Sequence, residues 1–296
     1  SGIVLRDLKR LDEALSSCDR ALALKPDYPE AHNNRGNVLR DLKRFDEALS
    51  SYDKALALKQ DYADAHNNRG IVLCDLRRFD EALSSYDRAL ALKPDYLEAH
   101  YSRGNALKGL QRFDEALLSY DRALALKSEL PEVHSNRGAT LYDLKRFDEA
   151  LSSYDKALAL KPDYPEVHNN RGNALRDLKR FDAALLSYDK ALALKPDYAD
   201  AYSNRGNALY DLRRFDEALS SYGRALALKP DHVGAHNNLG NALRDLKRFG
   251  EAAETYARLL EVDPTAAYVH GSLLAARMSN GDWTDFEGLH EAVEQR

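Results

Sequence analysis

Between Tyr28 and Asp61 the apolar positions fall in helical steps. Ala31, Arg35, Val38, Leu39 and Leu42 are spaced by three or four residues and form one face of a helix of about 14 residues. Pro29 suits its first turn, where a missing N–H costs nothing. Lys43 and Arg44 then break the pattern, placing cations at the negative end of the finished helix. Phe45 leads into Asp46 and Glu47, whose carboxylates favour the start of a second helix. That helix is predicted to turn Ala48, Leu49, Tyr52, Ala55, Leu56 and Leu58 inward and to stop near Lys59. No segment alternates with period two, so strands are not expected.

The same text returns along the chain. Glycine stands at 2, 36, 70, 104, 138, 172, 206 and 240, every 34 residues. A fixed period of this length marks a stack of identical supersecondary units, each packed only on its neighbours. Residues 1–264 divide into eight units and residues 265–296 read as a degenerate ninth helix pair that closes the stack. Ala266 to Met278 is its opening helix, and Thr284 starts a last helix running to about Glu294. Gly2 sits eight positions into its unit, so the chain is expected to be a piece of something longer.

Small residues recur where two helices must touch. Gly inside a helix costs roughly 1 kcal/mol relative to Ala, so the return of Gly36 argues for close packing, as do Ala48 and Ala55. Tyr52 and Phe45 fill the wider gaps. This unit resembles the tetratricopeptide repeat, a 34-residue helix–turn–helix with small residues at positions 8, 20 and 27, an aromatic near 24 and proline at 32. Gly36, Ala48, Ala55 and Tyr52 occupy those places, and Gln60 and Ser128 replace the proline in two copies. The resemblance implies an all-α, right-handed superhelical solenoid of antiparallel helix pairs. Two positions depart from it. Position 4 carries His32, His66, His100, His134, His168, Tyr202 and His236 where tryptophan is common, and position 7 carries Arg where leucine is.

The internal copies act as a mutation series. Asp19, Asp53, Asp87, Asp121, Asp155 and Asp189 recur at position 25, followed by Gly223 and Ala257. Arg35, Arg69, Arg103, Arg137, Arg171 and Arg205 recur at position 7 of the next unit, followed by Leu239 and Leu273. Acid and base vanish together only when each Asp is matched with the following unit. Ion pairs between units, Asp53–Arg69 and Asp189–Arg205 among them, are therefore predicted. Partial burial would make loss of one partner cost ~3–5 kcal/mol, exposure ~0–1.

Composition removes several function classes. The net charge is −5, from 43 basic and 48 acidic residues closely interspersed, so nucleic-acid and anionic-membrane binding lack support. No apolar run is long enough to span a bilayer, and the start shows no signal-peptide pattern. The two cysteines, Cys18 and Cys74, lie two units apart, too far to bridge; free thiols fit a cytoplasmic location. Successive position-4 histidines are one unit apart, roughly 8–10 Å, so they cannot converge on a metal and are read as rings wedged in the helix–helix seam. His232 and His236 lack a third ligand. The string Ser153-Tyr154-Asp155-Lys156 is repeat text, found also at Ser51 and Ser187. No cofactor, metal or catalytic constellation is expected.

The candidate site is a row of asparagines on the first helices. Position 6 holds Asn34, Asn68, Ser102, Asn136, Asn170, Asn204 and Asn238. Position 9 holds Asn37, Asn105, Asn173, Asn207 and Asn241, interrupted by Ile71 and Ala139. Asn is a mediocre helix former, and its amide offers both donor and acceptor to an extended peptide backbone. The resemblance agrees, since O-GlcNAc transferase-like repeats line a concave groove with such a ladder. Amides that instead bond each other and stiffen the stack are the structural alternative. Position 12 varies (Arg40, Cys74, Lys108, Tyr142, Arg176, Tyr210, Arg244) and position 13 is mainly Asp, so both are placed to tune specificity. Asn33, Asn67 and Asn169 at position 5 lack the lysine of a chaperone-tail clamp.

The expected function is thus a protein–protein interaction scaffold whose groove binds a peptide or protein segment. Two alternatives stay open. The segment Gly281-Asp282-Trp283-Thr284-Asp285-Phe286 resembles the junction after the repeats in bacterial O-GlcNAc transferase- and Spindly-like proteins, which would make this a substrate-recruiting arm lacking its catalytic domain. An open apolar end could also stack on another copy head to tail.

Overall fold

The computed structural model describes residues 10–283 together with Glu287 and His290. The opening half-unit around Gly2, the Thr284–Phe286 part of the junction motif and, apart from Glu287 and His290, the last helix expected from Thr284 to Glu294 lie outside the described residues. Sixteen helices are found among the described residues, joined by short turns and with no strand. The chain divides into two compact units between Arg146 and Phe147. The first contains α1 (Leu11–Leu24), α2 (Pro29–Asp41), α3 (Phe45–Leu58), α4 (Ala63–Asp75), α5 (Phe79–Leu92), α6 (Leu97–Gly109), α7 (Phe113–Leu126) and α8 (Pro131–Asp143). The second contains α9 (Phe147–Leu160), α10 (Pro165–Asp177), α11 (Phe181–Leu194), α12 (Ala199–Asp211), α13 (Phe215–Leu228), α14 (Val233–Asp245), α15 (Phe249–Val262) and α16 (Ala267–Ser279).

The three-residue turn inside a repeat does two jobs. At the end of α2 the Lys43 N–H bonds to Arg40 O at 2.8 Å and the Arg44 N–H to Leu39 O at 2.8 Å, the paired bonds of a Schellman motif. That motif demands a left-handed residue, and Lys43 supplies it with φ 58°. Arg77, Gln111, Lys145, Lys179, Arg213 and Lys247 repeat the conformation without the glycine usually found there. Arg44 then opens α3. Its guanidinium grips Glu47 through two 2.7 Å bonds, fixing the first turn in place of a side-chain cap. Where Ala183 replaces that glutamate, Arg180 turns to Asp148 at 3.3 Å instead.

Packing inside each pair rests on a glycine and a tyrosine. Tyr52, Tyr86, Tyr120, Tyr188, Tyr222 and Tyr256 are at most 1% exposed. A Cβ on Gly36, Gly70, Gly104, Gly172, Gly206 or Gly240 would lie 2.5–2.6 Å from the Cε1 of the tyrosine sixteen residues on. The glycine is therefore the floor on which the ring lies. Ala48 and Ala55 are fully buried beside it. Leu58, expected inward, is 43% exposed, because as the last residue of α3 it projects past the helix pair.

Successive pairs are tied by polar contacts. Arg69 Nε lies 2.8 Å from Asp53 Oδ1, and Arg205 Nε 2.7 Å from Asp189 Oδ1. The same geometry joins Asp19–Arg35, Asp87–Arg103, Asp121–Arg137 and Asp155–Arg171. Arg69 and Arg205 also donate to the buried hydroxyls of Ser85 and Ser221 at 2.8 Å. The position-4 histidines do more than fill a seam. His32 Nε2 donates to Pro26 O at 2.8 Å, His66 to Gln60 O at 3.0 Å and His168 to Pro162 O at 2.9 Å, pinning the linker that precedes each pair.

Within each unit the first helices of successive pairs touch: α2 with α4, α4 with α6 and α6 with α8, and likewise α10 with α12 and α12 with α14. The second helices make no comparable contact with one another among the described residues. The first helices thus lie on the inner side of each unit's bend, where the asparagines are.

Candidate functional site

Every ladder asparagine is half-buried on its first helix, but positions 6 and 9 differ in what they leave free. At position 6 the amide nitrogen mostly reaches back to the preceding repeat. Asn68 Nδ2 donates to Asn33 Oδ1 and Asn204 Nδ2 to Asn169 Oδ1, each at 3.0 Å. Asn136 Nδ2 donates to Tyr101 Oη at 2.9 Å and Asn105 Oδ1 at 3.0 Å, and Asn238 Nδ2 to Asn207 Oδ1 at 2.7 Å. Asn170 Oδ1 lies 3.5 Å from Asn169 Nδ2, and Asn34 sits half-buried on α2.

At position 9 the opposite end of the amide is engaged. Tyr52, Tyr120, Tyr188, Tyr222 and Tyr256 donate their hydroxyls to the Oδ1 of Asn37, Asn105, Asn173, Asn207 and Asn241 at 2.8–2.9 Å. Among the described residues the Nδ2 groups of Asn173, Asn207 and Asn241 meet no acceptor. Position 9 is thus engaged through its oxygens and position 6 mostly through its nitrogens, so the donor and acceptor ends anticipated of each amide are divided between the two rows. Sequence reasoning missed this because it gave the tyrosines only a packing role. A signal existed: where Ile71 interrupts position 9, the Tyr86 hydroxyl lies 3.5 Å from Cys74 Sγ instead.

A cleft opens along the ladder in the second unit. It measures about 300 Å³ and is lined by Asn207, Asn238, Asn241, Tyr210, Tyr222, Arg176 and Asp211. Tyr210 donates to Asp245 Oδ2 at 2.5 Å and packs edge-on against Phe215, centroids 5.4 Å apart, so its ring is a fixed wall. Burial, and then the bond to Asp245, push the Tyr210 phenol up to about 12. Burial raises the Asp211 carboxyl, against the opposing pull of Arg176 at 3.9 Å. Positions 12 and 13 thus bridge successive repeats at the ends of the first helices, as Lys108 and Asp143 do at 3.6 Å in the first unit.

Other chemistry is sparse. Among the described residues no cluster of three or more His, Cys, Asp or Glu is placed to hold a metal ion, and no helix is long and apolar enough to cross a membrane. Cys18 and Cys74 are free thiols, both raised chiefly by burial. Trp283 of the junction motif is 60% exposed.

Comparison with known proteins follows the same lines. A family profile described as "Tetratricopeptide repeat" matches residues 67–131 and 203–267, and one described as "TPR repeat" matches 2–39, 36–76, 140–175 and 172–213. No curated protein matches the chain. Among solved structures it is similar to YrrB, described as a TPR protein with an unusual peptide-binding site, at 25% identity and TM-score 0.55, over 63% of this chain and 96% of that one. MamA is similar at 25% identity and TM-score 0.52, over 56% and 96% of the two chains. A tetratricopeptide repeat protein from Parabacteroides merdae shares the fold at 19% identity and TM-score 0.61, over 82% and 96%.

Proposed function

Because the chain belongs to the tetratricopeptide repeat family, we propose that it is an interaction scaffold that holds an extended peptide or protein segment across its first helices. One observation carries this reading. Asn173, Asn207 and Asn241 have their carbonyl oxygens engaged by core tyrosines, and Asn207 and Asn241 line the open cleft of the second unit. Asn amides in helix interiors weaken the helix slightly, and tyrosine bonds that orient three of them in register suit a face made to meet a polar chain. The likeness to YrrB, whose described site takes peptide, points the same way. In this reading the chain supplies a binding face and no reacting group.

The test is selection of a random 12-residue peptide library on the full chain, followed by mapping of the recovered peptide through hydrogen exchange. Protection on α10, α12 and α14 is expected. A peptide that protects only the second helices, or a library that yields no binder, would refute the proposal.

A further inference from the structure

The cleft of the second unit also says what shape of peptide it takes, an inference that rests on the peptide-binding reading. Asn207 Oδ1 accepts the Tyr222 hydroxyl at 2.9 Å and the Asn238 amide at 2.7 Å, which uses both of its lone pairs. Asn173 and Asn241 oxygens are held by Tyr188 and Tyr256 at 2.8 Å. Toward a ligand Asn207 is therefore a donor only, while Asn173 and Asn241 keep one lone pair each beside their N–H groups. A strand-like ligand would present at the Asn207 step an N–H that this amide cannot accept. A ligand that presents only carbonyls would be satisfied at every step of the row.

Spacing makes the same choice. Packed helices stand ~8–10 Å apart, and the position-9 amides recur once per repeat. Carbonyls on one side of a β-strand recur every two residues, about 6.6–6.8 Å, and fall out of step. In a polyproline II helix they recur every three residues at about 3.1 Å each, or about 9.3 Å, and keep step. The Tyr210 ring, locked by Asp245 and Phe215, stands in the same cleft as the kind of aromatic wall on which proline rings pack. We infer that this cleft binds a proline-rich segment in the polyproline II conformation, recognised through its carbonyl oxygens. Tyr188, Tyr222 and Tyr256 act as positioning residues that aim the amides.

The probe is a fluorescein-labelled decaproline, whose prolines carry no backbone N–H, titrated against the full chain by fluorescence anisotropy. Saturable binding is expected, weakened about 5- to 150-fold in N207A/N241A. Tyr222→Phe keeps the buried ring and loses the aiming bond, so it too should weaken decaproline binding, with an unchanged circular dichroism spectrum. A library-selected peptide should tolerate N-methylation at the residues facing the cleft. If library peptides bind in an Asn207-dependent way while decaproline does not, or if N-methylation abolishes their binding, the polyproline inference fails and the peptide-binding reading stands. If neither probe binds, both fail. Wild-type affinity in Tyr222→Phe would remove the positioning role.

Discussion

The hydroxyl of Tyr222 donates to Asn207 Oδ1 at 2.9 Å, so a core ring on α13 sets the direction of an amide on the inner face of α12. The ring lies on Gly206, which makes one contact serve packing and site alike. A residue that is unremarkable in the core thereby sets which end of a half-buried amide is engaged.

Gly206→Ala tests that contact. The new methyl would fall 2.5 Å from Tyr222 Cε1 and 2.7 Å from Cδ1. Helix propensity favours Ala by roughly 1 kcal/mol, while overpacking costs ~1–3 kcal/mol. A lowered urea midpoint is expected. A raised midpoint would show that the ring yields freely and that the glycine has no packing role.

The inter-repeat ion pairs should contribute modestly. Asp189 is 52% exposed and Arg205 27%, which puts the pair in the range of ~0–1 kcal/mol rather than that of a buried pair. Asp189→Asn should therefore shift stability by less than about 1 kcal/mol, and by less still in ~1 M salt. Arg205→Leu should cost more, since it also strips the buried Ser221 hydroxyl of a donor. A loss of ~3–5 kcal/mol in Asp189→Asn would mark the pair as effectively desolvated.

A break in the ladder offers a stabilising change. Asn33 and Asn169 accept from Asn68 and Asn204, whereas the buried Asn67 Oδ1 has no hydrogen-bond partner. The residue one repeat on is Ser102, too short to reach it. Ser102→Asn should restore the bond and raise stability by about 0.5–1.5 kcal/mol in urea unfolding. A destabilised variant would mean that the introduced amide cannot take the rotamer of Asn68.

How far the sequence predicts these features depends on whether a copy breaks the pattern. The joint loss of acid and base at Gly223 and Leu239 pointed to a sixteen-residue offset, the separation at which Asp189 and Arg205 meet. Helix bounds were legible because Pro29, Phe45 and Lys59 punctuate an apolar 3.6-residue rhythm. The left-handed Lys43 was harder to see, since a glycine stands at its place only in the last copy, as Gly281 with φ 73°. The linker-pinning role of His32 was not legible, since its partner is a backbone carbonyl and leaves no mark in sequence. At the site, the asparagine rows were visible but their polarity was not, because a hydroxyl-to-amide bond needs coordinates to show which end is used.

Acid should loosen the fold in two stages. Burial, above all, holds His66 and His168 below the ordinary value of 6.5, despite their carbonyl bonds. Their contribution is complete above 6.5, declines as pH falls from there to the depressed folded values and then levels off. The Arg44 bond holds Glu47 below 4.5, so its contribution is present above 4.5 and is lost as pH falls through the folded value. Melting temperature should drop between about pH 7.5 and 5.5. His66→Gln with His168→Gln should flatten that drop while keeping a donor for the linker carbonyls. A wild-type melting temperature that is flat or rises over this range would contradict the account.

Calorimetric titration of a library-selected peptide into N173A/N207A/N241A tests the central claim most directly. With each lost bond at ~0.5–1.5 kcal/mol, binding about 10- to 1,000-fold weaker than wild type is expected in a variant of unchanged helicity. Wild-type affinity in that folded variant would contradict the claim that these tyrosine-held amides form the peptide-binding face.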